Sequence, residues 1–185
     1  MADSYYNINF FSKEQIKELN NYIENNYLLE ESKDNQASID GESIKHTKTL
    51  VINRYFIQNM VSRLEQYVHY VNENHFGYDL FPFNNHDSCL LNIYKAENQG
   101  RYDYHIDSSR DGASDVKLTV LANLSMQEYK GGIFKIFNGN EYEIPQISQP
   151  GSVLVFKSYL NHKVTPITYG ERRTLTIFGR GPRFR

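Results

Sequence analysis

The sequence predicts an α+β, mainly β fold in which a β-sandwich or barrel follows an N-terminal helical segment. Two observations lead to this fold class. Apolar residues recur at helical spacing in the first part of the chain, whereas after Phe81-Pro82 short apolar and β-branched runs alternate with Gly, Asn, Asp and Pro. The length of 185 residues suits one domain with a sizeable core. We expect a single domain over 1–185, with a helical buttress over 1–80 and a β-rich core over 88–182.

Two helices are predicted in the N-terminal segment. The first begins after Ser12, whose hydroxyl can cap it while Gln15 completes a capping box. The second is predicted from Tyr55 to about Asn74, because its apolar residues fall on one face, and Gly77 follows as a stop signal. The polar stretch between them, Glu30 to about Lys48, shows no periodicity and is predicted to be a loop.

Eight short strands are predicted after the helices, with no helix between them. This order indicates an antiparallel sandwich or barrel with the two helices packed on one outer face. The predicted strands are Cys89–Lys95, Tyr102–Asp107, Lys117–Ser125, Ile133–Phe137, Tyr142–Ile144, Ser152–Phe156, His162–Ile167 and Arg173–Phe178.

Composition argues against several classes of function. A net charge of -2 does not suit a general nucleic-acid or membrane-surface binder. No apolar run reaches the length of a membrane span, and the N-terminus lacks a signal-peptide pattern. Cys89 is the single cysteine, which excludes an intrachain disulfide and thiolate-rich zinc sites. We therefore expect a cytoplasmic protein without a membrane partner, in which any metal is held by His and carboxylate groups.

Three residues predict a metal site. His105 and Asp107 are two positions apart, so in an extended strand their side chains point to the same face. His162 can add a second imidazole from another strand. Two imidazoles and one carboxylate leave coordination positions open, which suits non-haem Fe(II) that activates oxygen. Each signal is weak alone, since His-x-Asp pairs arise by chance and a lone histidine beside a strand is more often structural.

The last strand carries a predicted receptor for a carboxylate. Counting by twos from Arg172 places Thr174, Thr176, Phe178 and Arg180 on one face. An arginine beside a threonine hydroxyl on an interior face offers a bidentate fork and one further donor. The alternative is an arginine in a surface ion pair, which contributes little. Together with the metal-ligand candidates, the pattern suggests an iron that is also offered an anionic co-substrate.

The order of these motifs resembles the Fe(II)/2-oxoglutarate-dependent dioxygenases, and within them the prolyl 4-hydroxylase-like branch. The resemblance covers about residues 88 to 182. It rests on His105-x-Asp107, Gly131-Gly132, Pro150-Gly151, His162, Gly170-x-Arg172-x-Thr174 and Gly181-Pro182. It implies a double-stranded β-helix, or jelly roll, which agrees with the strand count. It also implies Fe(II) and 2-oxoglutarate as cofactors, with ascorbate as a candidate reductant.

The resemblance assigns a role to each of the central residues. The implied iron ligands are His105, Asp107 and His162. Arg172 would pair with the distal carboxylate of 2-oxoglutarate, helped by Thr174. Tyr94 corresponds to a tyrosine that contacts the co-substrate, although two additional residues separate it from the first histidine.

The substrate-binding residues follow from the same resemblance and depart further from the family's pattern. Tyr102 matches a tyrosine that lines the substrate pocket. Phe178 and Arg180 stand where prolyl hydroxylases place an aromatic and a basic residue around the substrate proline. Asn123 replaces the usual tyrosine in the strand before the double glycine.

The implied function is hydroxylation of a C–H bond with release of succinate and carbon dioxide. A prolyl residue in a peptide or protein is the leading substrate, so we expect a proline-containing partner. The alternatives are a free amino acid, another small metabolite or a nucleobase. Phe178 stands where DNA-repair demethylases of this superfamily carry a second arginine, which weighs against that group.

Two further alternatives are a metal-binding or sugar-binding jelly roll without oxygenase activity and a zinc hydrolase. The hydrolase lacks an obvious general-base glutamate and leaves Arg172 unexplained. The polar loops Glu30–Lys48 and Ser108–Asp115 are expected to border the mouth of the site, because long loops on a rigid scaffold often carry recognition.

Overall fold

A computed structural model describes residues 4–27, 33–35, 38–39, 42–84, 87–107 and 114–183. Its helices are α1 (Lys13–Asn26) and α2 (Arg54–Val71). Ser12 and Gln15 form the predicted capping box at the start of α1. A π-helical turn over Asn72–Phe76 extends α2, and Gly77 ends it in the left-handed conformation at φ 69°. Both predicted helices are therefore confirmed. In the described part of the chain, no helix combines the length and the apolar character that crossing a membrane requires.

Strands make up most of the rest. In chain order they are β1 (Tyr5–Asn9), β2 (Lys33–Asn35), β3 (Ser38–Ile39), β4 (Glu42–Ser43), β5 (Lys45–Asn53), β6 (Ser88–Lys95), β7 (Arg101–His105), β8 (Asp115–Asn123), β9 (Lys130–Gly131), β10 (Phe134–Asn138), β11 (Asn140–Glu143), β12 (Ser152–Lys157), β13 (Asn161–Val164), β14 (Ile167–Tyr169) and β15 (Glu171–Gly181). Each of the eight predicted strands has a counterpart here, although their bounds shift by a few residues.

Among the described residues, six strands lie where no strand was predicted: β1, β2, β3, β4, β5 and β9. β1 pairs antiparallel with β12 along its whole length. β2, β3 and β4 lie inside the polar stretch predicted as a loop to about Lys48, and β5 begins inside it, so the loop prediction was wrong over these strands. Lys45, Thr47 and Thr49 are buried on one face of β5 although all three are polar, so the hydrophobic alternation that marks a strand is missing there. Residues 30–32, 36–37 and 40–41 of the predicted loop lie outside the described residues, as do 108–113 of the other loop.

The main sheet folds over on itself at β5. Its strand order is β1-β12-β8-β15-β6-β5-β7-β13-β10-β11, with β2 also paired to β5. Residues 48–53 of β5 pair with β6, whereas residues 45–46 pair with β7. The result is two sheets that share β5. The major sheet contains β1, β12, β8, β15, β6 and β5, and the minor sheet contains β5, β7, β13, β10 and β11. Two facing antiparallel sheets of this kind form a jelly roll, so the predicted fold class is confirmed.

Two hydrophobic cores hold the layers together. The helices pack on the outer face of the major sheet, where Ile57 and Leu64 of α2 share a cluster with Leu175 and Ile177 of β15. Each such fully buried side chain stabilises the fold by roughly 1.5–3 kcal/mol. A second cluster, which includes Phe134, fills the space between the two sheets. From Arg172 to Phe178 the alternation of β15 is therefore as predicted: odd-numbered residues face the helices, and even-numbered residues face the interior.

Candidate metal and co-substrate site

A small cavity of about 130 Å³ lies between the two sheets. Its walls bring together most of the residues singled out from the sequence. The lining residues are Lys45, Leu90, Asn92, Tyr94, Tyr102, His105, Asp107, Leu121, Phe134, His162, Val164, Arg172, Thr174, Thr176 and Phe178. Of the predicted site residues, Arg180 alone is missing from this wall.

The three predicted metal ligands converge at one side of the cavity. His105 ends β7 and faces His162 of β13 as its direct cross-strand partner. Asp107 Oδ1 lies 3.8 Å from His105 Nε2, and Asp107 Oδ2 lies 3.6 Å from His162 Nε2. One ligand atom from each residue falls within 4.8 Å of the other two. Ligands bonded at about 2.0–2.2 Å to one ion lie roughly 3–4 Å apart, so the distances of 3.8 and 3.6 Å between Asp107 and the two histidines suit ligands of one metal ion.

Hydrogen bonds fix the imidazoles in the orientation that a metal requires. The Nδ1 atom of His105 lies 2.8 Å from the Asp103 carbonyl oxygen, and Nδ1 of His162 lies 2.9 Å from the Leu160 carbonyl oxygen. A carbonyl oxygen can only accept, so each Nδ1 carries the proton and each Nε2 presents a lone pair to the site. Burial lowers the pKa of both histidines to about 4, which keeps the rings neutral.

Asp107 is held by two interactions, one from β8 and one from the turn that follows β12. Thr119 of β8 donates a hydrogen bond of 2.7 Å to Asp107 Oδ2, and the Asp107 amide donates to the Ser158 carbonyl oxygen at 2.9 Å. Burial raises the pKa of Asp107, while the Thr119 hydroxyl opposes that rise. Thr119 was not found from the sequence, because nothing in its local pattern shows that β8 passes behind the aspartate.

Arg172 is buried at another part of the cavity wall. Arg172 is 1% exposed, and its Nε and Nη2 atoms have no hydrogen-bond partner within the described part of the chain. The guanidinium carbon lies 5.5 Å from the centre of the Tyr94 ring, on the neighbouring strand β6. Because a buried charge without a partner is costly, this guanidinium is arranged for a ligand. A bidentate carboxylate is the ligand that its planar fork matches best.

The double glycine of the sequence makes room for this arginine. Gly132 has φ 61°, and a Cβ atom there would collide with Ile167 Cδ1 and lie 3.0 Å from Arg172 Cδ. Gly131, at φ 77°, would drive a Cβ into the Pro166 carbonyl oxygen. Both positions therefore need glycine for conformation and for space.

The predicted co-substrate residues Tyr94 and Thr174 both line the cavity. Burial raises the pKa of Tyr94 to about 12, so its hydroxyl stays protonated and can donate a hydrogen bond. Thr174 is 1% exposed and lies two residues from Arg172 on the same face of β15. Asn123, which stands where the family has a tyrosine, does not reach the cavity. Its side-chain amide donates instead to the Ile147 carbonyl oxygen at 2.9 Å.

The three predicted substrate residues separate into two groups. Tyr102 lines the cavity and stacks on His105, with ring centres 3.4 Å apart. Phe178 lines the cavity as well. Arg180 lies instead in an adjacent cleft of about 410 Å³, where it donates to the Ser114 hydroxyl at 3.3 Å. An irregularity in the pairing of β15 with β8, between Gly179 and Arg180, breaks the alternation that placed Arg180 with the others.

Lys45 is a cavity residue that sequence reasoning missed. It is 6% exposed, and its Nζ atom lies 4.6 Å from the centre of the Tyr102 ring. Burial lowers the pKa of Lys45 to about 8, while the nearby Asp107 carboxylate opposes that shift. The residue lies in the stretch predicted as a loop, so only the pairing of β5 with β7 reveals it.

The donor set fits the metal and co-substrate that the resemblance implies. Two neutral imidazoles and one carboxylate suit Fe(II) with open coordination positions. The guanidinium of Arg172, with two atoms that lack a partner among the described residues, suits an anionic co-substrate. Within the part of the chain that the structure describes, these three side chains are the one group of three metal-binding residues so close together.

Comparison with known proteins gives a consistent result. The sequence model of the 2OG-Fe(II) oxygenase superfamily matches residues 89–180. A PKHD-type hydroxylase of Nitrosomonas europaea is 33% identical over 96 residues, which are 48% of this chain and 41% of that protein. The alignment thus spans only about two fifths of this relative.

Solved structures share the fold along nearly the whole chain. A prolyl-4-hydroxylase from Pseudomonas putida has a TM-score of 0.73 at 19% identity, with 98% of this chain and 94% of that chain covered. A prolyl hydroxylase from Trichoplax adhaerens, in complex with a peptide fragment of the hypoxia inducible factor oxygen degradation domain, has a TM-score of 0.68 at 20% identity, with 96% and 83% covered. The chain therefore belongs to the 2OG-Fe(II) oxygenase superfamily, with the fold of its prolyl 4-hydroxylase-like branch.

Proposed function

We propose that this protein is an Fe(II)/2-oxoglutarate-dependent dioxygenase that hydroxylates a C–H bond, with a prolyl residue in a peptide or protein as its substrate. The observation that carries the proposal is the buried Arg172 guanidinium in the same cavity as the His105, Asp107 and His162 cluster. When bound, Fe(II) and 2-oxoglutarate supply the oxidising chemistry: O₂ is consumed, one oxygen atom enters succinate, carbon dioxide leaves, and the other oxygen atom becomes the new hydroxyl.

The protein contributes the positions of the groups that hold the metal and the co-substrate. The two histidines remain neutral and present Nε2, while Thr119 holds one oxygen of Asp107 in place. Arg172 would fix the distal carboxylate of the co-substrate, with Thr174 and Tyr94 as the neighbouring hydroxyl donors. A rigid set of this kind gains rate from orientation, since none of these side chains has to be ordered during the reaction.

The substrate class is supported by likeness. The fold is shared with prolyl hydroxylases, one of them in complex with a peptide. Tyr102 and Phe178 line the cavity and supply aromatic surface for a small ring.

We also propose a cytoplasmic location, as the single cysteine suggested. Cys89 is buried, and burial raises its pKa to about 12, so its thiol is not a reactive group.

Turnover is the direct test. Protein loaded with Fe(II) is incubated in air with 2-oxoglutarate, with and without ascorbate, and with proline-containing peptides. We expect succinate formation together with a peptide mass increase of one oxygen atom, and neither in Arg172→Met or His162→Ala. Succinate formed with a free amino acid but with no peptide would move the substrate to the small-metabolite class. Metal binding without any binding of 2-oxoglutarate would leave a binding jelly roll without oxygenase activity.

A further inference from the structure

Lys45 brings an ammonium group into the cavity beside the metal-ligand cluster. As the first residue of β5 it pairs with Tyr102 of β7, and its Nζ atom lies 4.6 Å from the centre of the Tyr102 ring. The same ring stacks against His105, with ring centres 3.4 Å apart and an interplanar angle of 13°. One aromatic ring therefore links the ammonium group to a metal-ligand candidate.

Lys45 gives the cavity a net positive charge, counted over its described lining residues, when Fe(II) and 2-oxoglutarate are bound. Among the described lining residues, Lys45 and Arg172 are cations and Asp107 is a carboxylate. Fe(II), 2-oxoglutarate, Asp107 and Arg172 together carry no net charge. The ammonium group adds one positive charge to this set, at a site where burial strengthens electrostatic interactions. A substrate that binds after the metal and the co-substrate therefore encounters a net positive charge.

The floor of the cavity is polar as well. The Asn92 side-chain amide donates to Thr176 Oγ1 at 3.1 Å, and Thr49 Oγ1 donates to Asn92 Oδ1 at 3.0 Å. These residues lie on β6, β15 and β5, and both Asn92 and Thr176 line the cavity. The ring of a proline is apolar and gains little from such a floor, whereas a carboxylate can bind both to hydroxyl donors and to an ammonium group.

We propose that Lys45 determines substrate specificity by binding a carboxylate group of the substrate. The inference rests on the proposed oxygenase function and narrows its substrate class. Two sources carry this chemistry: an acidic side chain within a peptide, and the terminal carboxylate of a peptide or free amino acid. A substrate proline then carries its own carboxylate or is flanked by an acidic residue.

Binding of matched probes tests the assignment without turnover. The protein is loaded with Mn(II) in place of Fe(II) and titrated first with 2-oxoglutarate. At saturation it is titrated calorimetrically with two pairs of probes that differ in one charge. The first pair is N-acetyl-L-proline and N-acetyl-L-prolinamide, for the terminal carboxylate. The second pair is N-acetyl-L-aspartic acid α-amide and N-acetyl-L-asparagine amide, for the acidic side chain.

Three variants accompany the wild type. Lys45→Met keeps roughly the length of the side chain and removes the charge. Lys45→Arg keeps the charge. Lys48→Met is the matched control, because Lys48 lies on the same strand and faces away from the cavity side, with Leu50 and Ile52.

We expect the anionic member of at least one pair to bind at least about tenfold more tightly than its neutral partner in wild type, Lys48→Met and Lys45→Arg. In Lys45→Met the preference disappears while the affinity for 2-oxoglutarate stays within about twofold. The assignment is overturned if neither pair shows the preference, if it survives in Lys45→Met, or if that variant loses affinity for 2-oxoglutarate. Failure of the wild type to bind 2-oxoglutarate refutes the proposed function along with it, and is seen before any probe is added.

Discussion

Replacing Arg172 by Met should separate ligand binding from protein stability. Arg172 and Arg54 are both buried, at 1% and 8% exposure. Arg54 forms a two-pronged ion pair with Glu65, whereas Nε and Nη2 of Arg172 have no partner in the described part of the chain. Arg54→Met is therefore the matched control: it breaks a completed pair, while Arg172→Met removes a charge that is arranged for a ligand.

We expect Arg54→Met to lower the free energy of unfolding, whereas Arg172→Met should leave it unchanged or raise it. Breaking a buried pair costs about 3–5 kcal/mol of unfolding free energy, because Glu65 is left buried without its partner. At roughly 2–4 °C per kcal/mol for a chain of this size, the Tm of Arg54→Met falls by about 6–20 °C. Arg172→Met in the ligand-free protein should keep its unfolding free energy or gain up to about 2 kcal/mol. The contact between the Arg172 guanidinium and 2-oxoglutarate is worth about 2 kcal/mol or more. Its loss in Arg172→Met should therefore raise the Kd for 2-oxoglutarate at least about thirtyfold.

Thermal unfolding of Mn(II)-loaded protein measures both effects. In the wild type, 2-oxoglutarate at about one hundred times its Kd should add about 2.7 kcal/mol and raise the Tm. Arg172→Met should show an unchanged or higher Tm without ligand and little further rise with it. The reasoning fails if Arg172→Met loses as much stability as Arg54→Met, or if it retains the full rise with 2-oxoglutarate.

Three further outcomes are expected. Thr119→Val removes the hydrogen bond to Asp107 and should weaken metal affinity about tenfold or more, measured by metal titration; unchanged affinity would make that bond dispensable. Gly132→Ala should weaken 2-oxoglutarate binding by displacing Arg172, whereas Gly139→Ala, where a Cβ meets nothing within 4 Å, should leave binding intact; equal affinities would contradict this. Burial lowers the pKa of the two metal-site histidines to about 4, below the unfolded value of about 6.5, so the unfolded chain binds more protons between these values. The metal-free protein should therefore lose stability as the pH falls through this range, and urea unfolding should show a smaller loss when both are replaced by Asn.

Local patterns predicted much of the fold and of the site. The alternation of β15 placed Arg172 and Thr174 on the interior face and Leu175 on the helix-covered face, and all three are found there. The spacing of two between His105 and Asp107 likewise placed both side chains at one cavity. These predictions succeeded because the period of a strand is fixed by backbone geometry and does not depend on the neighbouring strands.

Features that depend on pairing between distant segments were not predictable in this way. Lys45 lies at the start of a strand whose buried face is polar, and it reaches the site because β5 joins the two sheets. Thr119 supports the metal site from β8, and nothing in the sequence of that strand shows that it passes beside Asp107. Arg180 leaves the cavity wall at an irregularity in the pairing of β15 beside Gly179, and counting by twos along the strand does not reveal it.

The visible absorption spectrum of the anaerobic protein with Fe(II), before and after addition of 2-oxoglutarate, addresses the iron and the co-substrate together. A new charge-transfer band should appear with 2-oxoglutarate, should be absent in His162→Ala, and in Arg172→Met should need a much higher concentration of 2-oxoglutarate. Bound Fe(II) without any new band at saturating 2-oxoglutarate would contradict the assignment of this cavity as an oxygenase site.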